Sequence, residues 1–395
     1  MAATESIERL TGGGAVPLAR RNLFANKKRL IRSSAGIGFA VLLMLVQLGF
    51  ERGFFDASLA TVRQLDGDLF ILSAGKYRFG SRDPFAAADL ATARRVAGIA
   101  SVAPLYGAWQ DLFWQPPGSD QPYLVQAFAF DPEHPVFTVP ELTGAIGRLK
   151  EADTVIVDRR ARRFLGMADG AGDAKINGRA VKIVGSFAQG PDFMSDGTVM
   201  MSAATFARLL PGNRAAAADM PVEFGVVKVQ PGADPAAVAR ALEAALPNDV
   251  RVMTKPQLVD FERSFQADLS SAGPIFWLGT LIGFVVGMLI SYQIIYTDLS
   301  DQLPQYATLK GMGYDNRYLV RVVLGQATLS ALAGYVPAWL LCLLVYRLIG
   351  ALALLPLHMT LRLTLLSFGL TLGMCLLSAA LAIRRVIAAD PAEIF

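Results

Sequence analysis

Charged residues are missing from four long stretches of this 395-residue chain, although Lys, Arg, Asp and Glu make up 18% of it. As a helix, the shortest stretch would reach about 27 Å, close to the thickness of the hydrocarbon core of a bilayer. The sequence therefore predicts four membrane spans, at residues 33–50, 274–297, 322–346 and 363–383.

The lack of ionisable side chains inside these spans also bears on function. Ion-coupled carriers and proton relays keep buried charges at mid-membrane because those charges carry out transport. The most polar side chains here are instead Gln47, Gln293 and Gln326, which we expect to hydrogen-bond between helices. The pattern therefore disfavours a secondary transporter.

Cysteine and histidine are scarce, with two of each. Cys342 and Cys375 lie in apolar stretches, so the polar middle of the chain must fold without disulfides. His134 and His358 are far apart in the sequence and have no Cys or His neighbours. We therefore expect neither a metal site nor a cofactor bound by this chain.

Motifs for catalysis are lacking as well. The chain has no G-x-x-x-x-G-K-[ST] phosphate-binding loop, so nucleotide chemistry would require another polypeptide. Ser73 and Lys76 match the S-x-x-K pattern of serine acyl enzymes, but the S-D-N and K-T-G elements of that chemistry are absent. The sequence predicts a protein that is not itself an enzyme. A membrane-anchored periplasmic enzyme is the weakest alternative, since residues 51–272 show no catalytic constellation.

Basic residues flank the spans asymmetrically, which sets the predicted orientation. Lys and Arg cluster before the first span, whereas the short segment at residues 347–362 has only two of them. Both termini and residues 298–321 are therefore predicted to lie inside the cell, and residues 51–272 outside it. Basic residues beside spans account for the net charge of +4 without any nucleic-acid partner.

The two ends of the chain give further predictions. Residues 1–16 are predicted to be a disordered tail, and residues 17–32 a basic amphipathic helix on the inner membrane surface. Ser58-Leu59-Ala60 resembles a signal-peptidase site, but the apolar stretch before it is long and charged residues intervene, which favours an uncleaved span. Residues 384–395 are predicted to be a cytoplasmic tail.

The periplasmic segment has the pattern of a folded domain. Two strand-helix-strand patterns occur, at residues 67–73, 84–96 and 102–114, and at residues 222–229, 235–246 and 250–253. They flank an insertion at about 116–221, in which Asn177-Gly178 predicts a hairpin turn. The predicted fold is a membrane protein of α plus α+β class. Its four transmembrane helices carry a large periplasmic domain between helices 1 and 2, a duplicated β-α-β porter-like part with an inserted subdomain.

Small residues recur at intervals of four in the second and fourth spans. Such spacing lets another helix approach closely, within the bundle or at the seam of a homodimer. The predicted packing residues are Gly279, Gly283, Gly287, Gly369 and Gly373.

Three stretches carry a family resemblance: residues 18–31, the sequence YATLKGMGY at 306–314, and ADPAEIF at 389–395. On them the chain resembles the MacB/FtsX-type permeases of ABC transporters, most closely the DevC branch, over nearly its whole length. The resemblance implies that residues 298–321 contact the ATPase through Gln305, Tyr306, Leu309, Lys310, Gly311, Met312, Gly313 and Tyr314. Gln305 stands where the family usually has Glu, and Gly311 where it has Ala. The resemblance therefore does not imply a salt bridge between residue 305 and the ATPase.

The resemblance also implies a function. Such a subunit lies in a bacterial inner membrane, with both termini cytoplasmic and residues 51–272 periplasmic. It acts as a homodimer with two ATPase subunits, which bind ATP and Mg, and transmits their motion to periplasmic partners. In the DevC branch these are an adaptor (membrane fusion protein) and an outer-membrane channel, and the cargo is a lipid, glycolipid or other hydrophobic molecule. The alternative is an FtsX-like regulator that transports nothing and activates a periplasmic cell-wall hydrolase.

Overall fold

The structure is a computed structural model that describes residues 27–142, 144–191, 195–213, 215–269, 272–353 and 357–388. The predictions for residues 1–16, for most of 17–32 and for 389–395 lie outside this part of the chain. The chain forms two compact units, one with the apolar helices and one made of residues 53–273 and 351–356.

Four of the helices in the described residues, the first, seventh, ninth and tenth, are long and apolar enough to cross a membrane. Each extends beyond the uncharged stretch in the sequence, because the polar residues at its ends continue the helix. In chain order the helices are α1 Lys27–Ser58, α2 Ala60–Gln64, α3 Ala87–Ala93, α4 Ala203–Leu209, α5 Pro235–Ala245, α6 Lys255–Ser264, α7 Ala272–Asp301, α8 Leu303–Gly311, α9 Asn316–Ala353 and α10 Leu361–Ala388.

One mixed sheet runs through the second unit, with strands in the order β11-β1-β10-β2-β5-β9-β6-β8-β7-β3-β4. The strands are β1 Leu69–Ser73, β2 Ile99–Ala108, β3 Phe113–Gln115, β4 Tyr123–Leu124, β5 Gln126–Phe130, β6 Thr154–Asp158, β7 Gly172–Ile176, β8 Arg179–Phe187, β9 Thr198–Ser202, β10 Phe224–Val229 and β11 Val250–Thr254.

The first four strands in this order come from the two predicted β-α-β units, β1-α3-β2 and β10-α5-β11, and pair antiparallel. Successive residues of β1 alternate between two buried clusters. Ile71 belongs to the cluster that includes Leu90 of α3 and Leu242 of α5. Phe70 belongs to the cluster that includes Leu65, next to α2, and Leu258 of α6. Helices therefore cover both faces of this part of the sheet.

The remaining strands belong to the insertion. Its hairpin turn forms as predicted: Ile176 pairs with Arg179, and Asn177 and Gly178 take φ values of 51° and 77°. The predicted strand at residues 102–114 forms only in its first part, because β2 ends at Ala108. The separate strand β3 pairs with β7 and β4 instead of the neighbours of β2. The first predicted helix is shorter than expected, because Phe85 is in extended pairing with Val222.

Candidate functional site

The predicted loop at residues 298–321 is mostly helical, with α8 between the ends of α7 and α9. Pro304 stands in the first turn of α8, where its missing N–H costs no helical hydrogen bond. At the other end the N–H of Tyr314 donates to the carbonyl of Leu309 at 3.1 Å, and that of Gly313 to Lys310 at 3.0 Å. These bonds form a Schellman motif, and Gly313 supplies the positive φ it requires, 91°.

Tyr306 anchors α8 in the helical unit. It is 3% exposed, and its hydroxyl donates to Oε1 of Gln302 at 3.3 Å. The Tyr306 side chain packs in a hydrophobic cluster drawn from three of the long helices. Its buried partners include Ile295 and Leu299 of α7, Leu319, Val322 and Val323 of α9, and Ala379, Ala382 and Ile383 of α10. Any displacement of α8 therefore acts on all three helices.

The end of α8 presents two apolar side chains to the surface. Met312 is 63% exposed and Tyr314 is 41% exposed, with its ring 4.9 Å from that of Tyr318. Of the other residues predicted for ATPase contact, the structure leaves Gln305, Gly311 and Gly313 exposed and Leu309 and Lys310 half-buried. A Cβ at Gly311 would meet nothing within 4 Å, so the usual Ala of the family would fit there.

The glycines predicted to pack helices divide into two groups. A Cβ on any of the three in α7 would meet side chains of α1: Gly279 faces Gln47, Gly283 faces Met44 and Gly287 faces Ala40, and Gly287 also faces Met374 of α10. A Cβ at Gly369 or Gly373 would meet nothing within 4 Å among the residues that the structure describes. Sequence analysis missed Gly334, which packs against Ile37 of α1.

Polar contacts also join the long helices. Gln326 of α9 donates through Nε2 to Oδ2 of Asp298 at 3.4 Å, and Asp298 is only 6% exposed. Sequence analysis places Asp298 in the loop, but α7 continues past it and turns its carboxylate toward α9. Gln47 donates to the carbonyl of Phe276 at 3.4 Å, as expected of an interhelical glutamine, whereas Gln293 is exposed.

In the second unit, three hydrogen bonds hold α2 and α6 to the sheet domain and to each other. Lys255 Nζ donates to the carbonyl of Leu65 at 2.6 Å, which joins the start of α6 to the end of α2. Gln189 Nε2 donates to Oγ1 of Thr61 at 2.9 Å, and the N–H of Phe79 donates to Glu262 at 2.6 Å. Along the chain α2 directly follows α1 and α6 precedes α7, so these bonds fix the two segments that enter the helical unit.

A buried ion pair lies beside these contacts. Lys76 Nζ is 2.6 Å from Oε2 of Glu223, both side chains are at most 5% exposed, and the ammonium also donates to the Ser81 carbonyl. The ammonium lies 4.8 Å from the centroid of the Phe224 ring. Burial lowers the pKa of Lys76 and raises the pKa of Glu223, and in each case the partner's charge opposes the shift.

This ion pair shows what the lysine of the S-x-x-K motif contacts. Ser73 Oγ donates to Asp83 Oδ2 at 2.7 Å, while Lys76 is committed to Glu223 and so does not activate the serine. Within the described residues, no three His, Cys, Asp or Glu side chains are grouped in a way that would hold a metal ion.

Two family models match the chain. One, the MacB-like periplasmic core domain, covers residues 33–245, and the other, the FtsX-like permease C-terminal domain, covers residues 277–391. The chain belongs to the MacB/FtsX-type permeases. This confirms the predicted family and the fold class, four transmembrane helices with a large periplasmic domain after the first, and makes the chain a membrane permease. The DevC branch remains a prediction.

Curated relatives agree with this assignment. Uncharacterized ABC transporter permeases of Mycobacterium bovis and Mycobacterium tuberculosis are 22% identical over 385 residues, which is 95% of this chain and 98% of each relative. Two solved structures also match in part, each at 11% identity. The extracellular domain of the ABC-type transporter YknZ from Gram-positive bacteria matches over 48% of this chain and 99% of its own, with a TM-score of 0.32. A domain of a permease protein from Porphyromonas gingivalis matches over 47% and 85%, with a TM-score of 0.28.

Proposed function

We propose that this permease is the mechanotransmitting subunit of an ABC export complex. A separate ATPase binds and hydrolyses ATP with Mg, and this chain couples the reaction to a periplasmic adaptor, an outer-membrane channel and the efflux of a lipid, glycolipid or other hydrophobic cargo. It acts as a homodimer, with both termini and α8 in the cytoplasm. The observation that carries the proposal is α8, which is anchored in the helices by Tyr306 and exposes Met312 and Tyr314.

The coupling role has physical support, whereas the adaptor, the channel and the cargo rest on the family resemblance. Exposed Met and Tyr side chains directly after a short helix are typical of a protein contact, because both residue types are enriched at interfaces and Tyr buries a large area at low entropic cost. The four uncharged stretches of the long helices hold no ionisable side chain that would move a coupled ion at mid-membrane, and the chain lacks a phosphate-binding loop, so energy has to arrive through a partner. The bonds of α2 and α6 hold both ends of the second unit to its sheet, which supports the transmission of motion within that unit.

Co-purification of the gently extracted, tagged protein tests the proposal. The expected result is an ABC ATPase together with a periplasmic adaptor. An ATPase together with a cell-wall hydrolase would instead support the FtsX-like regulator that transports nothing. Absence of any ATPase, under conditions that keep a control ABC complex intact, would overturn both.

Surface variants locate the contact. Met312→Glu and Tyr314→Glu should each reduce ATPase recovery at least tenfold, and Lys310→Glu should uncouple ATP hydrolysis from export. Phe113→Glu, at a side chain 46% exposed in the other unit, is the matched control and should leave ATPase recovery unchanged. Normal recovery with both α8 variants would mean that the ATPase binds elsewhere.

A further inference from the structure

Two arginines of the periplasmic domain stack on neighbouring aromatic rings. The guanidinium carbon of Arg251 lies 4.6 Å from the ring centroid of Phe261, and that of Arg78 lies 5.7 Å from the ring centroid of Phe265. Phe261 and Phe265 are four residues apart in one helical segment, so their side chains lie on the same face. The two guanidinium groups therefore lie against consecutive rings of that face.

Neither guanidinium is neutralised. Within the described residues, no carboxylate lies within ion-pair distance of Arg78 or Arg251, and the buried Nε atom of each makes no hydrogen bond. Arg251 donates through one terminal nitrogen to the carbonyl of Lys76, which fixes its orientation. The ammonium of Lys76 is itself paired with Glu223 and adds no free charge.

One carboxylate does lie nearby and is already engaged. Glu262 and Arg78 line the same cavity, of about 60 Å³, but the oxygens of Glu262 accept from the N–H of Phe79 and from Nε2 of Gln266, at 2.6 and 2.9 Å. Two partly buried cations without a carboxylate partner lower the stability of the folded state unless an external anion binds to them.

We propose that Arg78 and Arg251 bind the phosphate group of an anionic phospholipid headgroup. Paired planar guanidinium groups match the geometry of phosphate oxygens, and their two charges favour a headgroup with net negative charge over a zwitterionic one. Along the chain, about seven residues separate Phe265 from the start of α7, a length of at most about 25 Å. Tyr77, which is 56% exposed beside Arg78, is a residue type that favours the membrane interface. The site depends on the periplasmic domain alone and not on the proposed export function.

The test uses the full-length protein in detergent, with phosphatidylglycerol or phosphatidylcholine added in mixed micelles. Native mass spectrometry counts bound lipid, and a thermal melt measures its effect on stability. We expect phosphatidylglycerol to bind and to raise the melting temperature, and phosphatidylcholine to do so at least tenfold more weakly. Arg78→Gln combined with Arg251→Gln should reduce phosphatidylglycerol retention at least tenfold, since each charged hydrogen bond is worth about that factor.

Matched controls separate the site from general charge effects. Arg63→Gln removes an arginine that is paired with Asp56 at 3.0 Å, and should retain the lipid as the wild type does. Arg78→Lys keeps the positive charge but lacks the planar guanidinium group, and should show intermediate lipid retention. Intermediate retention would also show that the variant is folded. Equal retention by the double variant and the wild type would overturn the site. Stabilisation by inorganic phosphate but not by phosphatidylglycerol would keep a phosphate site and overturn its assignment to lipid.

Discussion

Glu262 accepts a hydrogen bond from the backbone N–H of Phe79 through Oε2, at 2.6 Å, although 183 residues separate the two in sequence. Glu262 is 4% exposed, and its other oxygen accepts from Gln266 one turn later, where the helix changes to π geometry over Phe265–Leu269. The carboxylate therefore ties the helix that precedes α7 to the loop that follows β1.

Replacing Glu262 should loosen this connection. Glu262→Leu leaves a buried N–H without its acceptor, so the free energy of unfolding of the periplasmic domain should fall by about 1–3 kcal/mol. Glu262→Gln keeps an oxygen acceptor and should lose less. Hydrogen exchange of the peptide containing Phe79 measures the effect, and Glu243→Leu, at an exposed position of α5, is the control. Unchanged protection of that peptide in Glu262→Leu would contradict the role of the bond.

The Lys76–Glu223 pair gives a prediction that depends on pH. Lys76→Met leaves Glu223 buried without its cation, which costs about 3–5 kcal/mol and raises the pKa of Glu223 further. A carboxyl whose pKa is higher in the folded state contributes stability below its unfolded pKa and loses it as pH rises through the folded value. The melting temperature of Lys76→Met should therefore fall as pH is raised from about 5 to about 8.

Two further variants check this explanation. Combining Lys76→Met with Glu223→Gln removes the titrating group and should abolish the added pH dependence. Lys150→Met breaks a pair with Glu133 whose side chains are 58% and 65% exposed, and should cost less than about 1 kcal/mol at any pH. A Lys76→Met variant that melts at the same temperature across this range would show that Glu223 finds another partner.

Local patterns in the sequence predicted local structure well. Asn177-Gly178 specifies its hairpin because both residues accept positive φ, and Asp234 before Pro235 marks the start of α5 because its side chain accepts from the N–H of Ala236 at 3.0 Å. The long uncharged stretches identify the apolar helices for a similar reason: length and composition are properties of contiguous residues.

Contacts between residues that are far apart in the sequence could not be predicted from it. Lys76 and Glu223 are 147 residues apart, and nothing in either neighbourhood indicates that a charge is buried. The helical spacing near Tyr306 predicts a helix but not that its ring lies among three others. Gly287 and Gly373 have similar apolar surroundings in sequence, and only the packing shows that one is covered and the other open.

The end of α8 provides a matched pair of glycines. Gly313→Ala places a Cβ at a φ of 91° and should cost about 1–2 kcal/mol, which frays the Schellman motif and lowers ATPase recovery. Gly311→Ala, two residues earlier in the helix, meets nothing within 4 Å and should be neutral or slightly stabilising. Co-purified ATPase per permease measures both. Equal recovery with Gly313→Ala and Gly311→Ala would show that the motif is not needed for binding.

Substitutions at the glycines of the long helices distinguish packing within the chain from self-association. Gly287→Leu forces a side chain into Ala40 and Met374, and such overpacking should cost about 1–3 kcal/mol and lower the melting temperature of the extracted protein. A Cβ at Gly373 meets nothing within 4 Å among the described residues, so Gly373→Leu should leave the helices folded, while a homodimer that uses this face should weaken. Light scattering after size-exclusion chromatography measures the dimer, and a thermal melt measures the fold. A stable Gly373→Leu variant that remains fully dimeric would place the seam on another face, and a loss of stability equal to that of Gly287→Leu would show that Gly373 packs within the chain.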